Sequence, residues 1–438
     1  TPPRLDGKTI NFADLEAQHS DERPIPFSFR NLEIPKSQKL IPCHITHTNE
    51  RTHEIIMNNM HLSPMYSGQI QATGVRYCPS IEDKLKRFSD RKSHHVFLEP
   101  EGLDTDEYYP NGISTGLPAS VQEAYVRTIK GLENVRIVRP GYSIEHGVIR
   151  AQELKATLES KRITGLFFAG QINGTTGYEE AGAQGLIAGI NAALLVQQKE
   201  PFILSRNESY IGVLIDDLIT KGTEEPYRMF TSRVEYRLIV REDNADKRLA
   251  KYGHQLGLLS EAYFRRVEEK YTKIDHEIEH LRSTRISPGT PLDEALVQIN
   301  SSPLRQPTLL SDILKRPEVK YSVVAPYDGE LKNFPQEVID QVEYEIKYEG
   351  FILQQKKEVE RFRHIENIKI PSTINYDNVP SLSNEIRHKL KIFTPANLGQ
   401  ANRISGVTPA AISILMVYLK KLSYARVEER KQGCSDSV

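Results

Sequence analysis

The sequence is poor in cysteine. Cys43, Cys78 and Cys434 are odd in number and widely spaced, which argues against a disulfide framework and a cysteine zinc site, and so for a reducing compartment. It lacks a membrane-length apolar run: the longest mostly apolar stretch, Ala410 to Leu419, falls far short of the roughly 20 residues that span a bilayer. No secretory signal opens the chain. Nowhere is there a Gly-x-Gly triplet, so the usual dinucleotide fingerprint is missing. Methionine is also missing from the first position, which is Thr1 in the polar turn Thr1-Pro2-Pro3-Arg4-Leu5-Asp6-Gly7. These last two absences give the expectation that the chain is the later part of a longer protein.

What is there describes a globular protein of more than one domain: 438 residues, 38% hydrophobic and 26% charged. Net charge is −1 but uneven. From Asn384 onward nine Lys/Arg face four Asp/Glu, a balance of +5 that leaves −6 for the remainder. A basic tail suits a polyanion such as nucleic acid; a solvated terminal helix is the plainer account.

The most informative run is Phe167-Phe168-Ala169-Gly170-Gln171-Ile172-Asn173-Gly174-Thr175-Thr176-Gly177-Tyr178-Glu179-Glu180. It reads as a buried strand, a glycine-rich turn and a helix start, the arrangement that holds a dinucleotide's polar atoms at a helix amino end. The helix continues through Gly182, Gly185 and Gly189, and each internal glycine costs roughly 1 kcal/mol relative to alanine. Something is therefore expected to approach this backbone closely, either a cofactor or a sheet packed tightly against it.

Two further motifs carry chemistry. In Arg76-Tyr77-Cys78-Pro79-Ser80-Ile81-Glu82-Asp83-Lys84, Pro79 suits a first helical position and puts Cys78 at the N-cap. There the helix dipole, Arg76 and Lys84 favour the nucleophilic thiolate, while Glu82 and Asp83 oppose it. The alternative is a small buried apolar cysteine. In Glu225 to Arg241, Arg233, Arg237 and Arg241 recur every four residues. On a helix they form one basic edge beside aromatic residues, suited either to phosphate contacts and base stacking or to pairing with Glu235, Glu242 or Asp243.

Residues 1 to 152 read as a mixed α/β unit, with strands at Pro42–Thr48, His95–Leu98 and Val135–Val138 and helices at Glu50–Asn59 and Ser120–Lys130. After Phe202 the pattern is helical. Phe264, Val267, Tyr271, Ile274, Ile278 and Leu281 form a helical stripe capped by Ser260. Residues 283 to 335 read as loops with short helices, and Pro335–Arg363 as a second long helix. The tail reads as compact helices starting at Ser383, Thr394-Pro395 and Thr408-Pro409, the last two joined by Gly399 to Gly406.

Together these motifs closely resemble the glucose-inhibited division protein A (MnmG/GidA) family, the tRNA uridine 5-carboxymethylaminomethyl modification enzymes. The matching stretches are Thr1–Gly7, Arg76–Lys84, Leu98–Gly102, Phe167–Gly189, Tyr210–Arg241, Asp243–Leu249 and Leu398–Pro409. Members run longer at the amino end, where the first FAD-binding βαβ unit lies, so the chain resembles their carboxyl-terminal two thirds. The implied fold is α/β plus all-α. Residues 1–152 would be an inserted α/β NADH-binding domain, 153–200 the closing part of a Rossmann-like FAD-binding domain, and 201–438 a helical domain, with its basic tail at 380–438, for tRNA and partner.

The resemblance implies a flavoenzyme that modifies the wobble uridine of tRNA at C5, using FAD, NADH and methylene-tetrahydrofolate, with the GTPase MnmE as partner in a heterotetramer and a homodimer of its own. It implies a bacterial cytoplasm, or the mitochondrial matrix of a eukaryote. By carry-over, Cys78 is catalytic. Gln171, Asn173, Gly174, Thr175 and Gly177 meet FAD. Gly74, Arg76, Tyr77, Pro79, Ser80, Glu82, Lys84 and Phe88 meet NAD. Arg233, Arg237, Arg241 and Arg403 meet tRNA, and no metal is expected. Two other readings remain: a tRNA- and partner-binding module without catalysis, and a TrmFO-type folate- and FAD-dependent tRNA uridine methyltransferase.

Overall fold

The computed structural model describes the chain except residues 23, 32, 36–37, 71–78, 223–224, 328–332, 367 and 436–438, and gives only the backbone of the last helix from residue 423. Two compact units form: residues 1–149, 170–181 and 224–228, and residues 150–169, 182–223 and 229–438. The block 153–200 is thus divided between the units and forms none of its own.

The first unit is built on an antiparallel sheet. Its strands are β1 (Arg4–Asp6), β2 (Glu16–Gln18), β3 (Cys43–His47), β4 (His95–Pro100), β5 (Glu107–Asn111) and β6 (Ile137–Arg139), in the order β2-β3-β4-β5-β1-β6. Alternation drives the pairing: Val96 and Leu98 of β4 are buried, and Leu98 lies opposite Pro110 and His44 in register. Helices α1 (Glu50–Asn58), α2 (Ile81–Arg87) and α3 (Ala119–Val126) pack Ile56, Ile81, Leu85, Tyr125 and Val126 into the same core as Leu5, Val96 and Leu98. An Asn49–Thr52 capping box starts α1.

Helix α2 corrects one expectation. Its N-cap is Ser80, whose side chain accepts from the Asp83 N–H at 3.1 Å, so the helix starts two residues later than a Cys78 cap requires. The Ser80 hydroxyl is the better acceptor for that first turn. The helix expected over Ser120–Lys130 stops at Val126. Turns then carry Ile129 and Leu132 into the core.

Helix α4 (Tyr178–Val196) begins in the first unit and continues into the second. The second unit is helical. Helices α5 (Tyr210–Thr220), α6 (Ala245–Gln255) and α7 (Glu261–Ser283) lead to the two-stranded pair β7 (Arg285–Ile286) and β8 (Thr308–Leu309), and to short helices α8 (Pro291–Gln298), α9 (Leu310–Leu314) and α10 (Tyr321–Val324). The α7 stripe from Val267 to Leu281 is buried as its periodicity predicts, and Ser260 caps the helix. The long helix expected at Pro335–Arg363 is two, α11 (Gln336–Lys347) and α12 (Glu349–Glu366), with Tyr348 as the C-cap of α11. Val338, Val342 and Ile346 of α11 enter the core, whereas Ile352 is the buried residue of α12, so the helix ends where its apolar stripe does.

The tail folds as α13 (Asn384–Phe393), α14 (Leu398–Arg403) and α15 (Pro409–Ser435) around Leu390, Leu398, Ala401 and Leu415. Ser383 caps α13, and the Ala411 N–H reaches the Thr408 hydroxyl at 3.3 Å. Thr394-Pro395, expected to open a helix, instead closes α13. Thr394 is its C-cap in the left-handed region (φ 43°), and Asn397 caps α14. A proline just past a helix end is favourable because it cannot continue the helix.

Candidate functional site

The glycine-rich turn takes its shape from two residues. Gly170 and Gly174 have φ of +76° and +69°, backbone that L side chains rarely adopt. Between them Gly170–Asn173 forms a 3-10 turn, closed where the Thr175 N–H donates to Gly170 O at 3.2 Å. Neighbouring chain clamps it: the Ile149 N–H donates to Ile172 O at 2.8 Å and the Tyr227 N–H to Gly174 O at 3.0 Å. Arg228 pairs with the buried Glu180 at 3.2 Å, in the first turn of α4. The third sequence motif therefore begins by bracing the first.

Of the five residues expected to meet FAD, Asn173 and Thr175 are buried and serve the turn itself. Gln171 is exposed, with its amide 2.6 Å from His146 Nδ1, and Gly174 is half-buried. A Cβ at Gly177 would collide with the Glu180 carboxylate, so that backbone is closely approached by the helix's own acid. The strand expected before the turn is reduced to one bridge, Glu159 with Phe167, and Phe167 and Phe168 are half-buried. A strand needs a neighbour along its length, and among the described residues 167–168 have only that one bridge.

Further along α4, Gly182, Gly185 and Gly189 differ from expectation. All three are exposed, and among the described residues an added Cβ would meet nothing within 4 Å. They share one helix face, three and four residues apart. Among the described residues that face is open.

Cys78, with Gly74, Arg76 and Tyr77, lies outside the described residues. The rest of that motif is well placed. Glu82 is fully buried, and its Oε1 accepts from Ser63 Oγ at 3.2 Å, Thr115 Oγ1 at 3.1 Å and the Gly116 N–H at 3.2 Å. Lys84 Nζ donates to Gly112 O at 2.8 Å. The Tyr66 hydroxyl donates to Asp83 at 2.8 Å; burial first, and then this bond, push its pKa up to about 12. Glu82, Lys84 and Ser80 thus hold the start of α2 in place, Pro79 and Ser80 are half-buried, and Phe88 is exposed.

The arginine edge does not form. Residues 231–233 make a 3-10 turn and 235–239 a turn, because Val234 and Val240 are buried and Gln355 of α12 satisfies the backbone from outside. Its Oε1 accepts from the N–H groups of Leu238 (3.0 Å) and Ile239 (3.2 Å). The arginines separate accordingly. Arg241 pairs with Asp243 at 3.1 Å and Glu345 at 3.3 Å, and Arg233 lies 3.8 Å from Asp217. Arg403 pairs with Asp216 and Glu366. Arg237 is exposed, with no ion pair among the described residues.

Sequence reading missed the centre of this region, Arg206. It is buried and reaches Asp217 at 2.7 Å, Asp216 at 3.1 Å and Glu235 at 2.7 Å. Burial works against its charge, but the bond to Glu235 and the charges of Asp217 and Asp216 outweigh that and raise its pKa. No local pattern marks it, since its partners lie 10 to 29 residues away. Among the described residues no His, Cys, Asp and Glu cluster could hold a metal, and no helix is long and apolar enough to cross a membrane.

Residues 1–200 match the family described as Glucose inhibited division protein A; residues 261–356 and 358–437 match the MnmG/GidA C-terminal helical domain and C-terminal helical bundle. The tRNA uridine 5-carboxymethylaminomethyl modification enzyme MnmG of Thermodesulfovibrio yellowstonii is 52% identical over 421 residues, 96% of this chain and 67% of that protein. The chain belongs to the MnmG/GidA family. The enzyme of the same name from Geotalea uraniireducens is 51% identical over 420 residues, with the same coverage. The fold agrees: GidA of Aquifex aeolicus superposes with TM-scores of 0.83 and 0.82 in two crystal forms, at 47% identity. This chain covers 96% of its own length and 66% and 67% of those chains, so it spans about two thirds of its MnmG/GidA relatives.

Proposed function

We propose that this chain is the greater part of a flavin-dependent enzyme that modifies the wobble uridine of tRNA at C5, acting with NADH, methylene-tetrahydrofolate and the GTPase MnmE. The observation that carries the reading is the 52% identity to an MnmG enzyme across 96% of the chain. The proposed domains are 1–152 for NADH, 153–200 for FAD and 201–438 for tRNA and MnmE, as a homodimer in the cytoplasm.

The residues present fit a flavin nucleotide through backbone and one side chain. Gln171 is exposed at the turn, and the turn's backbone is fixed by the bonds described above. Bound FAD supplies the hydride chemistry. Around it, the chain's part is to hold the turn rigid, to present the amino end of α4, and to place Glu179 and Glu180 where they partly offset that helix dipole. At the tRNA, uridine C5 is a poor nucleophile until a nucleophile adds at C6, and the Cys78 thiolate is suited to that addition. Ser80, Glu82 and Lys84 fix the helix that follows it.

Two measurements test this. Replacing Cys78 with serine is expected to abolish wobble-uridine modification in tRNA nucleoside analysis; normal modification would overturn the cysteine role. The absorbance spectrum of the purified chain separates catalysis from the reading as a binding module, which the open glycine face of α4 favours. A near-stoichiometric flavin spectrum supports the flavoenzyme, and colourless protein supports the module.

A further inference from the structure

We propose that a cavity within the second unit binds a small amphipathic organic anion, its apolar body against Ile219, Ile370 and Phe393 and its anionic head at Lys161 and Tyr376. The cavity holds about 780 Å³, within the range of roughly 300–1,000 Å³ typical of small-molecule sites. Residues 154–161, the end of α5 and the α13–α14 connection surround it. Leu154, Ile374 and Ile404 complete an apolar wall.

The polar groups set the ligand's charge. Three lysines line the cavity, Lys155, Lys161 and Lys391, and among the lining residues there is no carboxylate. Lys155 pairs with Glu159 at 2.7 Å and Lys391 with Asp377 at 2.8 Å, both outside the lining. Lys161 differs. Its ammonium donates to Gln152 O at 2.8 Å, Thr394 Oγ1 at 3.0 Å and Phe393 O at 3.2 Å, all neutral oxygens. The nearby Glu153 is bound instead to Arg162 at 2.8 Å. The ammonium is thus held in place beside the cavity with no ion pair among the described residues; Glu153 acts on it only through space, and an anion there meets its charge rather than a free N–H.

Tyr376 is the second, independent observation. It is 5% exposed, lines the cavity, and its hydroxyl has no hydrogen bond among the described residues. Burial alone pushes its pKa up to about 12, with no partner contributing. The hydroxyl itself is open to the cavity rather than sealed in the core, so it is free to donate to an acceptor on a ligand. A fixed cation and a hydroxyl open to the cavity beside an apolar wall together select an apolar molecule ending in a carboxylate or sulfonate.

The test titrates the chain with anilinonaphthalene sulfonate and displaces it with decanoate or with decanol, which has the same chain without the charge. Saturable binding is expected, with decanoate competing about tenfold better than decanol. Lys161→Gln should weaken decanoate about tenfold and leave decanol unchanged, and Tyr376→Phe should weaken decanoate several-fold. Lys357→Gln, on exposed α12, should change neither. Should Lys161→Gln fail to fold, as judged by circular dichroism, Tyr376→Phe decides, since it keeps the ring. Equal competition by decanol and decanoate, an unchanged affinity in the folded variants, or no saturable binding would overturn the proposal.

Discussion

Arg403 and Asp216 are joined across 187 residues of sequence, Arg403 Nη2 donating to Asp216 Oδ1 at 2.9 Å. The same guanidinium reaches Glu366 Oε1 at 2.5 Å through Nη1. Burial disfavours its charge, and the charges of Asp216 and Glu366 more than outweigh that, raising its pKa. Arg206 approaches Asp216 as well, so α5, the end of α12 and α14 share one ionic network. Such networks add little net stability over apolar packing, but removing one partner leaves buried charge uncompensated.

Arg403→Ala should therefore destabilise the chain by about 3 kcal/mol, read as a lower urea midpoint at unchanged slope. Arg403→Lys keeps the charge and loses the two-pronged geometry, and should recover only part of that loss. The salt dependence of tRNA binding should be the same in Arg403→Gln, measured where the variant remains folded, as in the parent chain, because this guanidinium is engaged inside the protein. A shallower slope would return Arg403 to the tRNA surface.

Arg237 should behave in the opposite way. It is exposed and has no ion pair among the described residues, so Arg237→Ala should leave thermal unfolding unchanged within about 0.5 kcal/mol. It should weaken tRNA binding and reduce the slope of log K against log salt by about 1. Filter binding at several salt concentrations measures this, and an unchanged slope would remove Arg237 from the interface.

The contrast between these arginines shows what the sequence could and could not convey. The α7 stripe and the caps at Ser260 and Ser383 were legible because their information is local, a periodicity or a hydroxyl three residues from the N–H it binds. The spacing of Arg233, Arg237 and Arg241 is local too, and it misled. Gln355 satisfies the backbone of Leu238 and Ile239 from more than 100 residues away, which lets a turn replace the helix. Thr394-Pro395 carries the signature of a helix start, but the preceding helix runs up to it and the Thr394 N–H donates to Leu390 O. The glycine turn was legible as a turn. That Tyr227 and Arg228 brace it was not, because backbone pairing between distant loops leaves no pattern in either one.

Stability should fall as the solution is acidified below neutrality. Burial lowers the pKa of His44, His53 and His94 beneath the ordinary value near 6.5, and the neighbouring His53 lowers that of His94 further. The rings of His53 and His94 are 5.4 Å apart, and Thr48 Oγ1 bonds to His53 Nε2 at 2.7 Å. Between each folded value and 6.5 the unfolded chain binds more protons than the folded one, so stability rises with pH there. Their contribution is full above about 6.5 and is lost as pH falls through the folded values. Urea midpoints measured from pH 7.5 to pH 5 should decline, and His53→Asn should flatten the decline. A profile unchanged by the substitution would assign the acid sensitivity elsewhere.

Thr394 offers a stabilising change. Its φ of 43° places a β-branched residue in the left-handed region, at the position where helices prefer glycine. Replacement by glycine relieves that strain but loses the hydroxyl that accepts from Lys161 at 3.0 Å. The ammonium keeps two carbonyl partners, Gln152 O and Phe393 O, so the lost bond is the smaller effect. Thr394→Gly is expected to stabilise the chain by about 0.5–1 kcal/mol, and Thr394→Val, which keeps the branching without the hydroxyl, to destabilise it. The pair separates backbone strain from hydrogen bonding. A loss of stability in the glycine variant equal to that of the valine variant would show that the Lys161 bond outweighs the strain.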